Sequence, residues 1–287
     1  MLIFRLSWRI ITVIVVVAAA FYLNSKNVTP THVSVNEDIK SYGNIDIFSS
    51  IAPYYDRANK YLSFGMDSSW RKFMIAQLDL NLDDYILDLA TGTGDIAILM
   101  ATSETLYNPF RKFDKIVALD PSREMLKVAL NKIEKYGLKK HIQLRVGDSQ
   151  DLSMFPDGVF DKITMSFGIR NVLDRFKALK EMRRVIKGTP GSKLAIMEFC
   201  PPQSEYLPQY LAPVLYPVIS LFLDFIVPSL GFLATLGHGK EYAYLARTIS
   251  HFPAPKVFNK LLADSGFENC KINSISFGVV FLFLCEF

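Results

Sequence analysis

Leu87-Asp88-Leu89-Ala90-Thr91-Gly92-Thr93-Gly94-Asp95 decides the fold. A short apolar run leads into two glycines, and an apolar helical stretch opens directly behind them at Ile96. A chain passing from strand to helix over so few residues must turn sharply, and Gly92 and Gly94 allow both the turn and a close backbone approach to a ligand. Asp88 lies inside the strand, where a carboxylate can brace the amides of the loop. No Gly-Lys-Ser/Thr follows, so the phosphate cradle of nucleotide hydrolases is excluded. Ala97 stands at the third glycine of the dinucleotide pattern, which disfavours a nicotinamide oxidoreductase.

The same alternation extends outward from this loop. The pattern predicts strands over Tyr85–Leu89, Lys115–Leu119, Ile142–Val146, Phe160–Met165 and Lys193–Glu198. Helices fall between them over Ile96–Ser103, Arg123–Tyr136 and Arg175–Ile186. Short apolar strands alternating with longer helices imply a Rossmann-like α/β fold, a parallel sheet covered on both faces. A helix over Lys256–Ser265 and two apolar segments flanking Gly278 close the chain as an antiparallel pair. Ahead of the core, Ile45 to Met74 has helical spacing broken at Ser63-Phe64-Gly65.

Carboxylates recur where open α/β sheets bind ligands, at the carboxyl ends of strands. Asp120 ends the second strand, where it can accept two hydrogen bonds from ribose hydroxyls. Asp148 and Ser149 follow the third, placed to meet the exocyclic amine of an adenine. Each residue alone is equally a helix cap or turn residue. Their recurrence after successive strands, with Asp88, points to an adenosine-type cofactor, S-adenosyl-L-methionine, and to a methyltransferase.

Composition narrows the partners. Of the formal net charge of +4, Arg5, Arg9 and Lys26 supply +3 with no acid before Glu37, leaving +1 for the rest of the chain. So neutral a body lacks the basic stripe of a nucleic-acid binder. Cys200, Cys270 and Cys285 are odd in number and widely spaced, and read as packed thiols in a reducing compartment rather than a disulfide frame or metal site. The apolar run Ile10–Leu23 is 14 residues long, followed by a polar stretch to Lys40. Its length suits a signal-peptide core, and a short membrane span if Arg9 and Lys26 snorkel outward. Residues 1–44 are therefore taken as a targeting or anchor segment with a linker, and 45–287 as one methyltransferase domain.

Further motifs narrow the chemistry. Tyr54-Tyr55-Asp56-Arg57-Ala58-Asn59, Leu62-Ser63-Phe64-Gly65, Trp70-Arg71-Lys72, the glycine loop and Ser166-Phe167-Gly168-Ile169-Arg170-Asn171-Val172 together resemble the ubiquinone/menaquinone biosynthesis C-methyltransferases of the UbiE type. Phe155-Pro156-Asp157, Met197-Glu198-Phe199 and Tyr244-Leu245-Ala246 extend the likeness, which spans about residues 45–287. The resemblance implies a class I methyltransferase with a seven-stranded, mostly parallel sheet whose last strand is antiparallel. It implies transfer of a methyl group from S-adenosyl-L-methionine to a ring carbon of a polyprenyl benzoquinol or naphthoquinol. Residue by residue, the cofactor contacts it implies are Thr93, Asp120, Asp148, Ser149 and Ser166, beside the loop's Asp88, Gly92 and Gly94. Arg170, Asn171 and Tyr55 are implied to orient or deprotonate the quinol hydroxyl. A guanidinium stays protonated, so Arg170 is expected to stabilise a phenolate rather than act as a base, with Asp174 or Asp161 as its salt-bridge partner under a purely structural reading.

Tyr206–Leu236 is apolar and carries Pro208, Pro213, Pro217 and Pro228, which argue against a clean transmembrane helix. Residues 206–240 are expected to form an acceptor-site insertion, packing on the sheet while opening an apolar mouth for a polyprenyl tail. The expected partners are a polyprenyl quinol and a membrane, by peripheral or anchored contact, with a homodimer or a quinone-synthesis complex as the wider assembly. The matrix side of the mitochondrial inner membrane is the favoured location, a plastid or a signal-anchored membrane the alternative. A methyltransferase for another lipophilic molecule and a non-catalytic subunit are the competing readings.

Overall fold

The computed structural model describes residues 45–103, 115–201, 203–207, 210, 213–214, 247–276 and 278–287. The targeting segment 1–44 and nearly all of the apolar insertion, with Tyr244-Leu245-Ala246, lie outside the described residues.

Three helices lead in: α1 (Ile45–Ile51), α2 (Tyr55–Leu62) and α3 (Asp67–Ala76). The break at Ser63-Phe64-Gly65 is real, with Phe64 and Gly65 both left-handed at φ 51° and 74°. The core then alternates β1 (Ile86–Leu89), α4 (Asp95–Ala101), β2 (Ile116–Asp120), α5 (Arg123–Lys135), β3 (Ile142–Val146), β4 (Lys162–Ser166), α6 (Arg175–Val185) and β5 (Lys193–Phe199). Helix α7 (Pro255–Asp264) and strands β6 (Asn269–Ser276) and β7 (Val280–Glu286) finish it. Strands β1 to β7 form one sheet in the order β3-β2-β1-β4-β5-β7-β6, parallel except for β7, which runs antiparallel to both neighbours.

Strand alternation supplies a core to each face. Leu87, Leu89, Ile163, Met165, Leu194 and Ile196 pack on one side with Leu179 and Met182 of α6 and Phe258 of α7. Ile86, Ala118, Ala195 and Met197 point the other way, against Trp70 and Met74 of α3 and Met100 of α4. Central strands β1 and β2 are buried throughout, whereas edge strands β3 and β6 expose polar residues such as Gln143, Arg145, Asn269 and Lys271. That polarity protects the open edges from further pairing.

The cysteines correct the sequence expectation. Cys270 and Cys285 face each other in the β6–β7 register and are joined by a disulfide, while Cys200 is a buried free thiol. Sequence separation conceals this pairing; the tight connection at Gly278 brings the two positions opposite one another.

Candidate active site

The strand order reverses between β1 and β4, with β2 and β3 on one side and β5 on the other. This switch point opens a crevice at the carboxyl ends of the strands, the binding place of open α/β sheets. The loop after β1 leaves the sheet through left-handed Ala90, Gly92 and Gly94, at φ 50°, 57° and 83°. Asp88, 1% exposed beneath it, accepts hydrogen bonds from the Thr91 hydroxyl at 2.6 Å and the Thr164 hydroxyl at 2.7 Å. Burial lifts its carboxyl from 3.8 to about 6, although both threonines favour the charged form.

A carboxyl raised on folding binds protons more tightly in the native state. Its contribution to stability is therefore present below pH 3.8 and lost as pH rises to about 6. An Asp88→Asn variant, which does not titrate, is expected to gain stability relative to the wild type as pH rises through that window, read from paired denaturant midpoints. A constant difference would show that Asp88 does not carry the shift.

The main cleft is walled by Tyr55, Gly92, Asp120, Ser149, Ser166 and Asn171, among others. Asp120 accepts from the Gly92 and Ser122 amides, each at 2.8 Å. Burial raises it, too, to about 6. Both oxygens keep a second lone pair for ligand hydroxyls. Ser149 is buried, while Asp148 is exposed and accepts from the Gln150 amide at 2.9 Å and its side chain at 2.8 Å. The Ser166 hydroxyl is buried against the cleft without a protein hydrogen-bond partner. Such an orphan costs about 1–3 kcal/mol unless a ligand supplies the bond. A Cβ built on Gly92 would meet nothing within 4 Å, so there is space over the loop. These groups fit the adenosine part of S-adenosyl-L-methionine.

A smaller compartment adjoins the cleft, sharing Tyr55, Gly92 and Ser166 and adding Arg71, Asp88, Thr93 and Asp95. Thr93 is 2% exposed and its hydroxyl is engaged, donating to Asp56 at 2.5 Å and accepting from Lys132 at 3.2 Å. Lys132 also reaches Asp56 at 2.7 Å and pairs with Asp95. Arg71, 7% exposed, pairs with Asp67 and lies 3.4 Å from Asp95. Charged side chains thus tie the lead-in helices to the glycine loop. Gly94 lies outside both compartments; a Cβ there would come within 3.2 Å of that of Ala129, so it sets the packing of α4 on α5.

After β4 the left-handed Phe167, at φ 57°, turns the chain into the short 3-10 turn Ile169–Asn171. Asn171 lines the main cleft and Tyr55 lines both compartments. Burial raises the Tyr55 phenol above its usual range, opposed first by the Arg170 guanidinium and next by a hydrogen bond with Asn59. Arg170 does not line the cleft. It is 7% exposed, and its Nη1 pairs with Glu198 at 2.5 Å and donates to Phe167 O at 2.9 Å. The expected partners prove wrong for a geometric reason: Asp174 caps α6 through the Lys177 amide, and Asp161 binds Lys187 and the Tyr85 amide. The fully buried Glu198, at the end of β5, is close enough instead.

Glu198, Arg71 and Asp56 entered the sequence reading only as members of quoted motifs with no role given, and Lys132 not at all. Glu198 obeys the rule that selected Asp120, an acid at the carboxyl end of a strand. His141 and His251 line neither compartment, and His238 lies outside the described residues.

A Cβ on Gly168 would lie 2.6 Å from that of Ala90, so the turn after β4 rests directly on the glycine loop. Gly168→Ala is expected to destabilise the protein by about 1–3 kcal/mol through overpacking, and to weaken cofactor affinity, both absent if the two loops are not in contact. Denaturant unfolding and calorimetry measure the two effects.

The chain matches, over residues 33–285, the ubiE/COQ5 methyltransferase family. It is 34% identical over 238 residues to the ubiquinone/menaquinone biosynthesis C-methyltransferase UbiE of Geobacter sp. (strain M21), covering 83% of this chain and 93% of the relative. Against the demethylmenaquinone methyltransferase of Lactiplantibacillus plantarum it is 34% identical over 232 residues, 81% of this chain and 90% of that one. Among solved structures, a SAM-dependent methyltransferase from Thermotoga maritima shares the fold with a TM-score of 0.52 at 17% identity, over 84% of this chain and 97% of the other.

Proposed function

The chain belongs to the ubiE/COQ5 methyltransferase family, and on that premise we propose that it methylates a ring carbon of a polyprenyl benzoquinol or naphthoquinol with S-adenosyl-L-methionine. One observation on the molecule supports the cofactor most directly: the buried Ser166 hydroxyl without a protein partner faces the cleft that Asp120 and Gly92 border. Bound S-adenosyl-L-methionine supplies a methyl group already activated on a sulfonium, passed to an electron-rich carbon while sulfur keeps the bonding pair.

The protein has three tasks. Asp120 accepts from the ribose hydroxyls with the lone pairs left over from Gly92 and Ser122. Ser166, Ser149 and Asp148 complete the adenosine site, and Arg71 and Asp95 hold the carboxylate and ammonium of the methionine end. Tyr55 and Asn171, on the cleft wall, meet the quinol hydroxyl. The raised phenol of Tyr55 stays protonated at neutral pH and donates to the phenolate oxygen left when the quinol hydroxyl gives its proton to water. The phenolate makes the ring carbon nucleophilic, and once that carbon has accepted the methyl group its hydrogen leaves as a proton to water. Tyr55→Phe is expected to lower kcat by about 10–100-fold with little change in cofactor affinity; an unchanged kcat would remove Tyr55 from the reaction.

The lipophilic acceptor, the apolar N-terminal run and the apolar insertion support a membrane-surface workplace, with the matrix side of the mitochondrial inner membrane favoured. Alkaline extraction of membranes tests this: recovery of the protein wholly in a soluble fraction before extraction contradicts it. Acceptor competition tests the substrate class. Turnover with quinols and none with a sterol or a phosphoethanolamine supports the proposal, and the reverse assigns the chain to another lipophilic acceptor.

A further inference from the structure

The buried ion pair behind the cleft is unused by the chemistry so far. Glu198 is 0% exposed at the end of β5 and Arg170 is 7% exposed in the turn after β4. The Glu198 carboxylate accepts from Arg170 Nη1 at 2.5 Å, from the Arg170 amide at 3.2 Å and from the Phe199 amide at 2.8 Å. One side chain therefore grips both the guanidinium and the backbone of the turn that carries Asn171 into the cleft. The Arg170 guanidinium carbon lies 5.8 Å from the centre of the Phe199 ring, and Phe199 stacks on Phe167 at 4.7 Å between ring centres. Arg170 lines neither compartment, whereas Phe167, stacked on the ring beside it, lines both. Its Nε is buried with no hydrogen-bond partner.

We propose that Glu198 is a positioning residue for methyl transfer, and that through it Arg170 acts on the acceptor by way of Tyr55 and Asn171 rather than by touching it. The proposal rests on the reading of Tyr55 and Asn171 as the groups that meet the quinol. Glu198 offsets the charge of Arg170, so Tyr55 experiences a compensated cation rather than a bare one. The turn and the guanidinium are fixed together, so losing the carboxylate disturbs the placement of Asn171 and the ionisation of Tyr55 at once. Other charged or titratable groups face this region: Arg71 from α3 and Asp95 from α4 act on Tyr55, Cys200 adjoins Glu198, and Arg175 of α6 donates to the Arg170 carbonyl at 3.0 Å.

Two variants of the full-length protein test it, Glu198→Gln and the pair Arg170→Met with Glu198→Gln. The readouts are S-adenosyl-L-methionine affinity by calorimetry, kcat and KM for a short-tailed quinol, and Tyr55 ionisation by NMR titration of ring-labelled tyrosine, assigned with Tyr55→Phe. Glu198→Gln is expected to lower kcat by about 20-fold or more while cofactor affinity and KM change by less than about threefold. It leaves an uncompensated cation, so Tyr55 ionises at lower pH. The double variant leaves no lone buried charge and so serves if the single one fails to fold. It is expected to share the low kcat but to ionise Tyr55 at higher pH than the wild type, because Arg170 is gone. If either folded variant keeps kcat and the Tyr55 titration unchanged and loses only thermal stability, Glu198 is merely structural and the proposal fails. If the wild type methylates no quinol, the substrate reading fails instead, and the opposite Tyr55 shifts still report on the pair.

Discussion

Asp120→Ala is expected to weaken S-adenosyl-L-methionine binding by about 100-fold or more. In the proposed cofactor site the carboxylate serves both the ligand and the loop: its remaining lone pairs would accept from ribose hydroxyls while it anchors the Gly92 and Ser122 amides. Hydrogen bonds to a charged group contribute about 1.5–3 kcal/mol each, and about 1.4 kcal/mol is tenfold in affinity. Two such bonds account for the effect before any loosening of the loop. The pH dependence has a definite sign. Burial lifts Asp120 to about 6, so the ionised acceptor is lost as pH falls through that value, and cofactor affinity declines from pH 7 to 5. Asp120→Ala should bind weakly at every pH, without that dependence. Titration calorimetry across this range decides it; tight binding by the variant would place the ribose elsewhere.

Arg170→Ala is expected to be among the most destabilising single changes, costing about 3–5 kcal/mol, because it leaves the fully buried Glu198 carboxylate unpaired. The cost should shrink markedly in Arg170→Met with Glu198→Gln, which removes both charges. Chemical unfolding of the wild type and both variants measures this. Equal stability of Arg170→Ala and the wild type would mean that the pair is not buried as described.

The order of strands and helices was legible in the sequence, because strand and helix periods differ and Gly92, Gly94 and Gly278 punctuate them. Strand ends shifted by a residue or two, as with Phe160, which precedes β4 rather than opening it. Asp120 and the Asp148–Ser149 pair were read from their places at or just after strand ends, and all three border the cleft; Asp88 was read from within β1, and Ser166 from the family resemblance. Thr93 was legible as a loop residue, but its engagement by Asp56 and Lys132 was not. Those partners come from α2 and α5, 37 and 39 residues away in sequence. The Arg170–Glu198 pair was hidden because it depends on which strands become neighbours, while the Cys270–Cys285 disulfide lies within the expected terminal pair and depends on its register. Local periodicity does not carry that information.

Transfer of a methyl group to a ring carbon is read directly by isotopic labelling. Incubating the protein with S-adenosyl-L-methionine carrying a 13C methyl group, and with reduced benzoquinol and naphthoquinol acceptors, locates the label by NMR of the extracted product. A 13C methyl is expected on a ring carbon of one or both quinols, abolished together with cofactor binding in Asp120→Ala. A label on quinol oxygen, or no transfer to any quinol while the cofactor binds normally, would contradict it.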